Sequence, residues 1–158
     1  MKALRQWFHA FADDSENRYG GTFIKANNNI SLAYDVTMVN MYLFAGEENK
    51  AKKIADRFLE SRIKVQIKID GTQPSELQRT RAFFYSVYNL THIIDFCYLA
   101  RYWYPNYYQE HRERIDKAFE FLGQYVDNPD SFPYQQITSW EECKKDYFYQ
   151  VDRLKALR

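Results

Sequence analysis

Between Glu76 and about Trp103 the apolar residues Phe83, Phe84, Val87, Leu90, Ile94, Cys97 and Leu99 are spread around nearly the whole circumference of a helix. A helix with no polar face has to be enclosed by other elements, so this segment predicts a core helix with several others packed around it. The rest of the chain supplies those partners. In "KALRQWFHAF" Leu4, Trp7, Phe8 and Phe11 recur at intervals of three and four, the spacing of one helix face. Ile30, Ala33, Val36, Thr37, Asn40 and Leu43 make a second stripe that stops before Gly46, a suitable C-cap. Ala51, Ile54, Ala55, Phe58 and Leu59 predict a third helix to about Lys64. Beyond the core helix, which Tyr104 and Pro105 end, Ile115, Ala118, Phe119, Leu122 and Val126 mark a fifth, stopped by Asn128 and Pro129. The segment "TSWEEC" offers a capping box, Thr138 with Glu141, for a sixth helix running toward Arg158.

Two stretches between these helices read differently. The polar run from Asp13 to Asn29, with Gly20 and Gly21 in it, predicts a linker. "VQIKID" alternates apolar and polar residues, as a short strand or extended piece does, before the turn "DGTQP". Six helices with irregular connections predict an all-α domain of paired antiparallel helices over residues 1–158. The connections are unequal and no 34-residue self-similarity is present, which argues against a tetratricopeptide array. The long linkers are where function is expected.

Composition narrows the function. The 22 basic and 21 acidic residues leave a net charge of +1, so no overall field exists to hold nucleic acid or an anionic membrane. No apolar run approaches the ~20 residues that span a bilayer. The first residues have charges and a histidine where a signal peptide carries its apolar stretch. Cys97 and Cys143 lie in helical apolar patterns without ligand spacing, which predicts buried thiols, no metal site and no cofactor. Aromatic residues make up 18% of the chain, with 14 tyrosines, a composition suited to a groove where rings stack and hydroxyls hydrogen-bond.

The stretch "KANNNISLAYD" sets three asparagines before the second helix, although capping requires one. Three segments follow one another in order: Asn28-Asn29 with Tyr34-Asp35; Asp70-Gly71, Pro74 and Glu76-Leu77; then Arg79, Arg81, Tyr85-Ser86 and Asn89-Leu90. In these segments, and in the later "FPYQQITSW", the chain resembles the alginate lyase family of polysaccharide lyases. The resemblance implies a partial (α/α) toroid, the later half of a longer ring of helix pairs around a sugar groove. It also implies an acidic polysaccharide partner, β-elimination of a uronate polymer such as alginate, and a periplasmic or secreted location.

In such lyases hydrogen-bond donors first offset the charge of the uronate carboxylate, which otherwise keeps the C5 proton poorly acidic. A base then removes that proton, and an acid protonates the leaving glycosidic oxygen. By this resemblance Tyr85, Arg79 and Asn29 are the catalytic candidates, with Asn28, Arg81, Tyr34 and Trp140 as substrate contacts. Tyrosine is mostly protonated at neutral pH, so base duty needs cations nearby; Arg79 and Arg81 are placed to supply them, Arg81 four residues before Tyr85. One departure stands out. The family's histidine falls on Ile30, or on Asn29 if the asparagines set the register, and His9, His92 and His111 all lie elsewhere. A chain without that donor is expected to be slow, directed at another uronate, or a carbohydrate-binding remnant without turnover; a helical interaction scaffold is the reading from outside the family. Half a ring also leaves apolar helix faces uncovered, which predicts self-association.

Overall fold

In the computed structural model, which describes residues 1–158, the enclosed helix is present and the fold is all-α. The helices in chain order are α1 (Lys2–Ser15), α2 (Gly21–Lys25), α3 (Asn29–Ala45), α4 (Glu48–Phe58), α5 (Lys64–Gln66), α6 (Pro74–Leu77), α7 (Ala82–Ala100), α8 (Tyr107–Gly123) and α9 (Trp140–Lys155). Helix α7 is the enclosed one: Phe83, Val87, Leu90, Ile93, Ile94, Phe96 and Cys97 are all buried. It packs against α3, α6, α8 and α9, while α3 packs in turn against α1 and α4. The long helices form the antiparallel pairs of a partial (α/α) toroid. Gly46 ends α3 in the left-handed conformation at φ 88°, as a C-cap glycine does. Both cysteines are buried and unpaired, and burial pushes the Cys97 thiol up to about 12.

The segment from Asp13 to Lys25 is helical, not a linker. Helix α1 continues through a π-helical turn at Glu16–Gly20 directly into α2. Gly20 and Gly21 both keep right-handed helical dihedrals. Packing overrides the low propensity of Gly20: it is buried against α3, where a Cβ would meet the Tyr34 hydroxyl at 3.4 Å, and the Tyr42 hydroxyl donates to Glu16 at 2.6 Å. "VQIKID" is not a strand either. Its first residues finish α5, and Ile67 turns extended at φ −109°, ψ 121° with its side chain buried. The one β-type pairing is an isolated antiparallel bridge between Arg81 and Gln136.

That bridge also explains why the core helix begins at Ala82 and not near Glu76. Residues 80–82 run alongside residues 135–137, with the Ala82 N–H donating to Gln135 at 2.9 Å and the Ile137 N–H to Thr80 at 3.1 Å. Arg81 takes the non-helical dihedrals this requires, φ −122° and ψ 54°, so α6 is a separate short turn. The last helix is capped by Ser139, one residue later than the capping box predicts. Its Oγ accepts from the Glu142 N–H at 3.3 Å, while Thr138 Oγ1 is taken by Gln136.

Asp35, the acid of the Tyr34-Asp35 pair, is fully buried and works inside the fold. Arg57 binds it through both terminal nitrogens at 2.7 and 3.1 Å, and Arg62 binds through Nε at 2.7 Å. Arg62 is 1% exposed and also donates to the Ile24 carbonyl at 2.8 Å, so one carboxylate ties the end of α2 and the end of α4 to α3. Removing one member of a buried charge group leaves another uncompensated, which costs about 3–5 kcal/mol. Asp35→Ala is therefore expected to lower the urea midpoint by an amount equivalent to that loss, whereas Asp152→Ala, at an exposed i,i+3 pair with Lys155, leaves the midpoint nearly unchanged.

Candidate functional site

The loop before α7 is built as a bracket. Asp70 Oδ1 accepts from the backbone N–H and the hydroxyl of Thr72, at 2.9 and 2.7 Å, which closes the turn. Gly71 has φ 85° and lies so close to α8 that a Cβ would sit 2.0 Å from the Lys117 carbonyl oxygen, so only glycine fits there. Buried Gln73 accepts from Asn89 Nδ2 at 2.8 Å and donates to the Ser86 carbonyl at 3.3 Å, fastening the loop to α7. Pro74 starts α6 at a position where its missing N–H costs nothing. Glu76, 1% exposed, then reaches across to α3 and accepts from the Asn29 backbone N–H at 2.6 Å and from Asn29 Nδ2 at 2.8 Å.

Those bonds account for two of the three asparagines. Asn28 is the N-cap of α3: its Oδ1 accepts from the Ile30 N–H at 3.1 Å, and its backbone carbonyl accepts from Ser31. Asn29 is the first residue of the helix and is held by Glu76. Asn27 is exposed and no hydrogen bond engages its side chain. Burial raises the Glu76 pKa above the ordinary glutamate range, against the opposing pull of the two Asn29 bonds and of the Arg79 charge.

Downstream of α6 the two arginines face aromatic rings. The Arg79 guanidinium lies 4.0 Å from the Tyr85 ring centroid. Arg81 lies 3.9 Å from the Phe84 ring and 5.7 Å from that of Tyr85, and its Nε reaches Thr138 Oγ1 at 3.4 Å. The start of α7 is held from outside by Gln136, whose Oε1 accepts from the Phe84 N–H at 3.2 Å. Asn29, Glu76, Arg79 and Tyr85 thus form one continuous chain of neighbours drawn from the start of α3, the short α6, the turn that follows it and the start of α7.

A comparison with known families and structures follows the same residues. The sequence model of the alginate lyase family matches residues 1–132. The chain belongs to the alginate lyase family. Among solved structures it is similar to the crystal structure of an alginate lyase from Bacteroides ovatus, with a TM-score of 0.84 and 29% sequence identity. That match covers 97% of this chain and 42% of the other, so the chain spans less than half the length of that lyase. None of the curated proteins matches it.

Within this alginate lyase family chain the other candidates lie apart. The Tyr34 ring packs on Phe23 at 5.2 Å, and its hydroxyl is buried beside Gly20 without a hydrogen-bond partner. Burial and the nearby charges of Glu16 and Asp35 raise its pKa. Trp140 lies against Phe83 and Phe132, and its indole N–H donates to the Val126 carbonyl at 3.1 Å; it belongs to the α7–α9 packing. Of the two positions at which the resemblance would set a histidine, Ile30 is 46% exposed in the first turn of α3 and Asn29 is buried. His9 pairs with Glu47 at 2.9 Å, His111 rests against Tyr107, and His92 is half-buried on Tyr88 with its pKa lowered by burial, so none brings an imidazole to the α3 start. Glu76 and Gln136 lie in the segments that carry the resemblance, yet neither is among the candidate residues there. Nothing in the local pattern distinguishes a carboxylate that faces water from one that accepts from a residue 47 positions away.

The raised pKa of Glu76 has a signed consequence. The folded state holds the Glu76 proton to higher pH than the unfolded chain, so this residue's contribution to stability is present at low pH and declines as pH rises from the ordinary glutamate range through the folded-state value. Glu76→Gln is expected to remove that decline. Denaturant midpoints of the two proteins, measured from pH 4 to 8, are predicted to draw apart with rising pH, the wild type losing ground.

Proposed function

We propose that this chain is a polysaccharide lyase-type domain that binds an acidic polymer such as alginate and cleaves it by β-elimination. The observation that carries the proposal is the Arg79 guanidinium seated on the Tyr85 ring, with the Asn29 amide joined to the same α6 turn through Glu76. In this reading Tyr85, in its phenolate form, takes the C5 proton and becomes the neutral phenol, with the Arg79 and Arg81 charges beside its ring. Arg79, Arg81 and the amides of Asn28 and Asn29 are the donors available to a uronate carboxylate. The Asn28 Nδ2 group, at a half-buried position, makes no internal hydrogen bond.

The substrate reading is tested by following the ultraviolet absorbance of the unsaturated product from alginate and other polyuronates. Tyr85→Phe is expected to reduce turnover by about 10²–10⁴-fold with the helical content intact. Ile30→His, which returns an imidazole to an exposed position in the first turn of α3, is expected to raise turnover. Oligouronate binding without any product, in the wild type and in Ile30→His alike, would instead identify a carbohydrate-binding remnant. No binding and no product would leave a helical interaction scaffold.

A place of action outside the cytoplasm, where such polymers occur, fits this substrate; no helix here is long and apolar enough to cross a membrane. The proposal also includes self-association. Leu4, Trp7 and Phe11 form an uncovered stripe on α1, 43–57% exposed, with the Trp7 and Phe11 rings stacked at 5.3 Å. Sedimentation velocity is expected to show a concentration-dependent dimer that Trp7→Glu abolishes; a wild-type monomer at every concentration contradicts it.

A further inference from the structure

We infer that Glu76 is a positioning residue for the uronate site: its carboxylate sets which way the Asn29 amide faces and joins the α3 start to the turn that carries Arg79 onto Tyr85. The inference rests on the lyase reading above and assigns within it a role to a residue that cannot touch substrate, since Glu76 is 1% exposed.

The chemistry of the two groups fixes the arrangement. An ionised carboxylate only accepts hydrogen bonds. Facing one, the Asn29 amide has to present Nδ2, as it does at 2.8 Å, and its carbonyl oxygen is directed away. An amide nitrogen carries two hydrogens; Glu76 takes one and leaves the other for a second acceptor. The same carboxylate takes the N–H of the first α3 residue at 2.6 Å, so the helix start and the side chain it projects are held at two points. The charged group facing Glu76 is Arg79, three residues on, and α3 brings the neutral Asn29. The Arg79 N–H in turn donates to the Glu76 carbonyl at 3.1 Å, so displacement of Glu76 moves the arginine as well. A buried carboxylate is a poor choice for stability alone, because a well-packed apolar residue usually does as well or better. Its use here is in direction, which an apolar residue does not supply.

Glutamine tests direction separately from shape. Glu76→Gln keeps the volume and one oxygen for the Asn29 backbone N–H, but it sets an NH₂ group opposite Asn29 Nδ2. The Asn29 amide then turns over to offer its oxygen, and the donor left for a substrate carboxylate is lost. Glu76→Asp remains acceptor-only and keeps the direction at a shorter reach. The experiment compares wild type, Glu76→Gln and Glu76→Asp in alginate turnover, with kcat and KM separated. The Asn29 side-chain amide resonances are recorded by nitrogen-edited NMR in the same proteins. The expected result is a kcat about 100-fold lower in Glu76→Gln with a native thermal transition, shifted Asn29 Nδ2 resonances, and a kcat substantially restored in Glu76→Asp. An active wild type matched in kcat by Glu76→Gln overturns this inference alone. A wild type that neither turns over nor binds polyuronate overturns the lyase reading and this inference with it.

Discussion

The carboxylate of Glu76 sits against the first turn of α3, where unpaired backbone N–H groups concentrate positive partial charge. Removing an ion from water costs several kcal/mol, and here the charge is received by a backbone N–H, a side-chain amide and a neighbouring arginine. The rest of the site is arranged around that contact. α6 is only four residues long and has no stability of its own. It stays in place because its loop is fastened to α8 by Gly71, to α7 by Gln73 and to α3 by Glu76. Arg79 leaves this bracket directly and reaches Tyr85. Three helices thus meet at a short turn held by two buried polar side chains, Gln73 and Glu76.

This changes what the family motif means. Asp70, Gly71, Pro74 and Glu76 look like a signature of chemistry when read in order, yet each one serves the structure. Asp70 closes the turn, Gly71 allows close approach to α8, Pro74 starts α6, and Glu76 holds Asn29. Asp35 is similar, a buried anion shared by Arg57 and Arg62. In the proposed reading the residues left for a substrate are fewer: Asn28, Arg79, Arg81, Tyr85 and the second amide hydrogen of Asn29. The match covers 42% of the length of the Bacteroides ovatus lyase, and α1 carries an exposed apolar stripe of Leu4, Trp7 and Phe11.

Much of this was legible from the residues. The enclosed character of α7, the C-cap at Gly46, the two buried thiols and the all-α class follow from periodicity and local propensity, which act over a few residues. The misread elements are those decided by contacts distant in sequence. Gly20 is helical with α3 lying against it, Arg81 leaves the helix because residues 135–137 pair with its strand-like neighbours, and Ile67 alternates in pattern without a partner to make a sheet. Near the start of α7, spacing pointed to Arg81 as the arginine over Tyr85, whereas Arg79 lies on that ring and Arg81 on Phe84; Trp140 and Tyr34 pack among aromatic neighbours that spacing does not reveal.

The central claim is convergence: a uronate chain meets the start of α3 and the start of α7 together. Backbone amide chemical-shift mapping with a saturated alginate oligosaccharide tests this most directly. The account predicts saturable shifts at Asn28 to Ile30 and at Arg79 to Tyr85 that titrate with a single affinity. Shifts at only one of these two segments, or only on α1, would contradict it.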